Sequence, residues 1–190
     1  LEIPITEYAV IKKRADIKEN GHLLPGILKS AIGGYDGHLS YQINSSKDLD
    51  TISLDPTKEY ILEKKVNLEK EISIIGTRYK DGKINFFHPF ENIHRDQILR
   101  ETFSPAKISS NIENLAKEYS SYVIKKHDYI GTMAIEFFIN KDGELLANET
   151  ASRVHNSGHI TMSNFNSSQF DQHIRAVCNL DFKKIEILKK

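Results

Sequence analysis

The sequence predicts an α+β fold built mainly from antiparallel strands. Three observations carry that expectation. Apolar residues alternate with period two in short stretches such as Glu71–Tyr79 and Thr132–Ile139. Asp81-Gly82 and Asp142-Gly143 each join two such stretches, and Asp-Gly favours a tight hairpin. Helical patterns at residues 111–127 and about 167–178 alternate with these hairpins rather than forming crossovers between parallel strands.

In chain order, Tyr8–Ile11 reads as a strand, and Ala15–Asn20 as a short helix closed by Gly21. Gly26–Ile32 is a strand after Pro25, with Lys29 its one charge. Gly33-Gly34-Tyr35-Asp36-Gly37 is a glycine-rich turn, and Leu39–Ile43 resumes as a strand. Such a turn lets backbone amides approach an anion, and with Lys29 upstream it reads as a phosphate-binding flap. No Gly-Lys-Ser/Thr follows, so it is not a P-loop. Glu59–Glu63 is a strand, followed by Lys64, Lys65 and Val66. Glu71 opens an apolar β-branched strand, and Ile84–Phe87 returns after Asp81-Gly82. His94 is placed in a loop between Pro89 and Leu99. Helix 111–127 carries Ile112, Leu115, Ala116, Tyr119, Tyr122 and Val123 as its packing stripe, with Ser110 or Asn111 as cap. Helix 167–178 carries Phe170, Ile174 and Val177 on one face.

Composition sets bounds on function. Of 190 residues, Lys+Arg and Asp+Glu number 26 each, so no net field draws nucleic acid or an anionic membrane. No apolar run approaches the roughly 20 residues needed to cross a bilayer, and no leader pattern is visible. The single Cys178 excludes an internal disulfide and suits a reducing, cytoplasmic compartment. Its position beside Val177 suggests a small buried hydrophobe.

The stretch Ala147–His159 concentrates an acid, an arginine, two histidines and two asparagines directly after a strand, as a functional loop would. A two-residue Asp142-Gly143 loop pairs Lys141 with Glu144 and, counting back, Glu136 with Glu149. Like charges opposed across a ladder destabilise it. A divalent cation removes that penalty, and Mg²⁺ takes one or two carboxylates plus substrate phosphates. The pair therefore points to a Mg-nucleotide site; the other readings are a solvated edge glutamate or a shared proton.

Taken together, these segments resemble the ATP-grasp family. The resemblance rests on Gly33–Gly37, Ile61-Leu62-Glu63, Glu71-Ile72-Ser73, Asn92-Ile93-His94, Gln97-Ile98-Leu99, Glu136-Phe137-Phe138, Asn148-Glu149, Arg153–His159 and Ser168-Gln169-Phe170, in family order along nearly the whole chain. The His155-Asn156-Ser157-Gly158-His159 run resembles one branch of that family. That branch uses ATP and bicarbonate to carboxylate 5-aminoimidazole ribonucleotide to its N5-carboxy product in purine synthesis, through carboxyphosphate.

The resemblance implies two α+β lobes gripping ATP, about 5–66 with the flap and about 67–185 with the metal site. It implies ATP and Mg²⁺ as cofactors. Lys29 and the flap residues Gly34, Tyr35, Asp36, Gly37, His38, Leu39 and Ser40 would cover the phosphates. Glu63, Lys64, Lys65 and Val66 would meet adenine, Glu71 the ribose, and His94 the nucleotide. Glu136 and Glu149 would hold Mg²⁺ with Asn148 beside them. Arg153, His155 and Asn156 would face bicarbonate and the ribonucleotide, with Tyr35 and Asp36 closing over them; Arg153 and Lys29 would offset developing charge. A homodimer is the implied assembly. The family pattern also has an N-terminal and a small C-terminal domain, and both ends of this chain read as cut. The 190 residues alone are expected to bind ATP weakly and turn over poorly.

The flap departs from the family's Gly-Tyr-Asp-Gly-Lys-Gly-Gln at His38, Leu39 and Ser40, and Ser152 stands where proline is usual. Two further readings stay open: a nucleotide-binding module that no longer catalyses, and another ATP-grasp carboxylase or formyltransferase.

Overall fold

The registered strand ladders are antiparallel, as the hairpin signals required. The computed structural model describes residues 2–32, 40–45, 47–48, 52–95 and 98–188. It divides into two units: Ile5–Asn67 with Asp96–Ile98, and Leu1–Pro4, Leu68–Arg95 and Leu99–Lys190.

In the first unit, strands β1 (Tyr8–Ile11), β2 (Gly26–Ser30), β3 (Ser40–Ile43) and β4 (Tyr60–Lys64) form a sheet in the order β1-β4-β2-β3. Leu28 and Leu62, opposed on β2 and β4, are buried with Ile11, Ile17, Leu23 and Ile43. Ile17 comes from helix α1 (Arg14–Glu19), whose first turn is held by Asp16 accepting from the Lys12 and Lys13 amides at 2.8 and 3.1 Å. Gly26 sits where a Cβ would lie 2.8 Å from the Glu63 and Leu23 carbonyl oxygens, so β2 and β4 approach more closely than a side chain allows.

The second unit holds β5 (Leu68–Arg78), β6 (Ile84–Phe86), β7 (Phe90–Arg95), β8 (Ile98–Phe103), β9 (Gly131–Asn140) and β10 (Leu145–Ala151). Their order is β10-β9-β5-β7-β8, with β6 on the far end of β5. Helix α2 (Ser110–Lys126) covers one face, where Ile72, Ile74, Ile135 and Phe137 pack with Ala116, Tyr119 and Ile124. Ser109 caps α2 by accepting from the Ile112 amide, one residue ahead of the expected cap, and Tyr122 of the expected stripe is exposed.

Period two sends the intervening residues to the opposite face. Register opposes Glu71 to Asn92, Ser73 to Glu136, and Glu136 to Glu149, so all five share that face, as does His94 two residues beyond Asn92. Short helix α3 (Thr161–Asn164) and helix α4 (Gln169–Val177) follow β10. Below the polar residues, Ile75, Phe87, Phe90, Ala134, Ala151 and Phe165 form an apolar cluster.

Four further expectations are corrected. His94 lies on β7, not in a loop, and β8 follows it. The Asp142-Gly143 turn has three loop residues, because Asn140 rather than Lys141 bonds Glu144, with Gly143 at φ +82°. On α4 the stripe Phe170, Ile174 and Val177 is largely exposed, while Gln169, Gln172 and Ala176 are buried. Cys178 caps α4 and is exposed, since it follows that same outward face.

Candidate active site

In the first unit, Lys29 and Lys64 are each paired with an acid. Lys29 Nζ lies 2.6 Å from Glu63 Oε2, across β2 and β4, where Glu63 opposes Ile27 two residues away. Ser40 opposes Lys29 on β3. Lys64 Nζ lies 3.1 Å from Glu7 Oε2, Lys65 Nζ donates to Gln42 Oε1 at 3.2 Å, and Val66 is half-buried. Gly34, Tyr35, Asp36, Gly37, His38 and Leu39 lie outside the described residues.

The second unit collects the remaining candidates on the polar sheet face. His94 Nδ1 contacts Glu71 Oε2, both side chains less than a quarter exposed. The Glu71 hydrogen bond raises the His94 pKa above its ordinary value, against a smaller opposing effect of burial; the charge of Glu136 adds to the rise. The contact with Glu71 therefore favours the protonated imidazole over the neutral one.

Glu136 is 16% exposed and its Oε1 lies 3.7 Å from His155 Nε2. Glu149, its ladder partner, is exposed, and Asn148 is half-buried. The ladder slips by one residue between Ala147 and Glu149, which makes Asn148 the extra residue of a bulge. Two carboxylates opposed on one face suit an oxygen-loving divalent cation whose other ligands come from phosphate and water. The donor set thus fits Mg²⁺.

The segment after β10 is fixed from beneath. Gln169, fully buried, donates from Nε2 to the His155 carbonyl at 2.6 Å and accepts at Oε1 from the His155 amide at 2.9 Å. A Cβ on Gly158 would come within 2.5 Å of Gln169 Oε1 and Ile75 Cδ1, so any larger residue would force one of those side chains to move. Thr161 donates to the Gly158 carbonyl at 2.6 Å and accepts from the Gln169 amide at 3.0 Å. His155 Nδ1 meets Ser157 Oγ at 2.9 Å, and Ser157 Oγ meets Ser73 Oγ at 2.8 Å. Arg153 and Asn156 are exposed; Arg153 Nη1 donates to the Val154 carbonyl at 2.9 Å, and Asn156 Oδ1 accepts from the Ser157 amide at 2.9 Å. His159 stacks on Phe170 with ring centroids 6.2 Å apart.

Sequence reasoning brought Glu71, His94, Glu136, Asn148, Glu149, Arg153, His155 and Asn156 into this unit. The buried supports Ser73, Asn92, Ser157 and Gln169 belong to segments that carry the family resemblance, but the sequence alone assigns them no role. Ser73 is polar at an inward position of an apolar strand, and that was a legible signal.

The sheet of the second unit thus carries the opposed pair Glu136 and Glu149 on the face where Glu136 approaches His155. The model of the ATP-grasp domain family matches residues 1–170, and the chain belongs to that family. It is 36% identical over 188 residues to the N5-carboxyaminoimidazole ribonucleotide synthase of Bacillus subtilis strain 168, covering 97% of this chain and 50% of that protein. The Staphylococcus aureus N5-carboxyaminoimidazole synthetase complexed with ADP aligns at a TM-score of 0.91 and 39% identity, over 98% of this chain and 50% of that one. The Aspergillus clavatus synthase in complex with ADP and 5-aminoimidazole ribonucleotide aligns at 0.83 and 28%, over 95% and 48%. The chain thus spans about half the length of these relatives.

Proposed function

We propose that the protein carrying this chain uses ATP and bicarbonate to carboxylate 5-aminoimidazole ribonucleotide to N5-carboxyaminoimidazole ribonucleotide, through carboxyphosphate. The observation that carries this reading is the carboxylate pair Glu136 and Glu149 sharing a sheet face with the clamped His155 segment. The relatives' names support the substrate.

Phosphoryl transfer asks for positioning and charge neutralisation more than covalent help. Lys29 contacts the phosphates, together with Gly34, Tyr35, Asp36, Gly37, His38, Leu39 and Ser40. Glu63, Lys64, Lys65 and Val66 meet adenine, and Glu71 and His94 hold the ribose side. Glu136 and Glu149 hold Mg²⁺, with Asn148 adjacent; the ion, when bound, neutralises phosphate charge. Arg153, with Lys29, offsets charge that develops on the transferred group. His155 and Asn156 contact bicarbonate and the ribonucleotide, and Tyr35 and Asp36 close over them, keeping water from the labile intermediate. The smaller lobe at about 5–66, the larger at about 67–185, a homodimer and a cytoplasmic setting complete the proposal.

The test is ADP release by the full protein carrying this chain, with bicarbonate and aminoimidazole ribonucleotide each omitted in turn. Release that requires both supports the reading. The altered residues His38 and Leu39 favour a second reading, a nucleotide-binding module without turnover. ADP binding with no substrate-dependent release would support that instead.

A further inference from the structure

We infer that Ser157 is a positioning residue that holds the His155 imidazole as its Nε2–H tautomer, so that His155 serves the site as a hydrogen-bond donor rather than as a base. The tautomer follows from the orientation of the Asn92 amide together with proton counting. The donor role rests on the proposed function.

A chain of buried polar groups runs beneath the site. Thr102 Oγ1 donates to Asn92 Oδ1 at 3.3 Å, and Asn92 Nδ2 donates to Ser73 Oγ at 3.1 Å. Ser73 Oγ and Ser157 Oγ lie 2.8 Å apart, and Ser157 Oγ lies 2.9 Å from His155 Nδ1. Ser73 and Ser157 are completely buried, and Asn92 is 4% exposed. Distances alone leave the direction of the two central bonds open.

Proton counting closes it. An amide NH₂ only donates, so Ser73 Oγ is the acceptor from Asn92. Ser73 then has one proton to place and, among the described residues, one remaining partner, Ser157 Oγ. The reverse direction would leave a buried hydroxyl proton without an acceptor, a penalty of about 1–3 kcal/mol. Ser157 therefore accepts from Ser73 and places its own proton on His155 Nδ1. The Ser157 backbone amide also points at Nδ1, at 3.4 Å, and it too can only donate. Two donors converging on Nδ1 require a lone pair there, and the neutral ring must carry its proton on Nε2.

The chemical consequence is specific. A general base at His155 would need the Nε2 lone pair, and this arrangement withholds it. An Nε2–H instead offers a donor to an anionic oxygen, the charge that bicarbonate and a carboxylated phosphate both present.

The experiment is ¹⁵N NMR of histidine-labelled protein without substrates, at about pH 8, where an ordinary imidazole is neutral. His155 is assigned by its loss in His155→Gln. The expected wild-type spectrum has a pyridine-like Nδ1 and a pyrrole-like Nε2. Ser157→Ala should move the averaged shifts toward the other tautomer, with at least a severalfold rise in the Nδ1–H population. Asn92→Asp gives Ser73 an acceptor, reverses the chain, and should move the shifts the same way with Ser157 in place. A wild-type ring protonated mainly on Nδ1 overturns the inference, whatever the variants do. So does a ratio unchanged in both variants. The measurement uses neither ATP nor the ribonucleotide, so failure of the carboxylation assay leaves the tautomer result standing and removes only its proposed use.

Discussion

Glu149 stands directly across the β9–β10 ladder from Glu136, although the turn between them is one residue longer than Asp142-Gly143 suggests. The bulge at Asn148 takes up the extra residue and returns both carboxylates to one face. Opposed like charges cost roughly 0.2–1 kcal/mol in a ladder. Without Mg²⁺, Glu149→Gln should therefore leave the protein as stable or more stable, by up to about 1 kcal/mol. With Mg²⁺ the sign reverses for ligand. Losing one charged contact, worth about 1.5–3 kcal/mol, should weaken Mg-dependent ADP binding roughly 10- to 100-fold. Thermal melts with and without Mg²⁺, paired with ADP titrations, check both halves.

Gln169 supports the site without reaching into it. Gln169→Leu keeps approximate volume and removes both bonds to the His155 backbone. A lost cap on two peptide groups, each worth about 1–3 kcal/mol when left unpaired, should destabilise by roughly 2–6 kcal/mol. Urea unfolding should show a lower midpoint with an unchanged slope.

Gly158→Ala tests the close approach over Ile75. The added methyl meets Gln169 Oε1 and Ile75 Cδ1 at 2.5 Å, so something must shift. Overpacking of this kind costs about 1–3 kcal/mol. The melting temperature should fall, whereas alanine at Gly21, which has open space around it, should change it little.

The His94–Glu71 pair predicts a pH dependence of definite sign. The folded pKa of His94 lies above its ordinary value of 6.5. The folded state thus binds the proton more tightly, and the pair's stabilisation is fully present below about 6.5. It is lost as pH rises through the raised folded value. Glu71→Gln should lower the His94 pKa in an NMR titration, and the stability gap between wild type and variant should narrow as pH rises across that window. A gap that widens would contradict the assignment.

The hairpins, the α2 stripe and the glutamate pair were legible because each depends on local periodicity. The glutamate pair was reached through a two-residue turn that the chain does not use; turn and bulge each shift register by one, and the shifts cancel. The β7 strand was not legible, because Asn92 and His94 put polar groups where alternation expects apolar ones on a face that serves chemistry. On α4 the apolar stripe misled. Gln169 and Gln172 are buried because their amides satisfy groups on other segments, His155 for one and the Lys183 carbonyl for the other. Such pairings have no signature in spacing. The buried chain from Thr102 to His155 links four separate segments, so no local pattern reports it.

Under the proposed function, Glu136 and Glu149 serve ATP-dependent carboxylation of aminoimidazole ribonucleotide. Its most direct measurement is ADP release by the full protein carrying this chain, with Mg²⁺, bicarbonate and the ribonucleotide present. Release should require both substrates and be abolished in Glu149→Gln. Release that ignores the ribonucleotide, or that survives in Glu149→Gln, would contradict it.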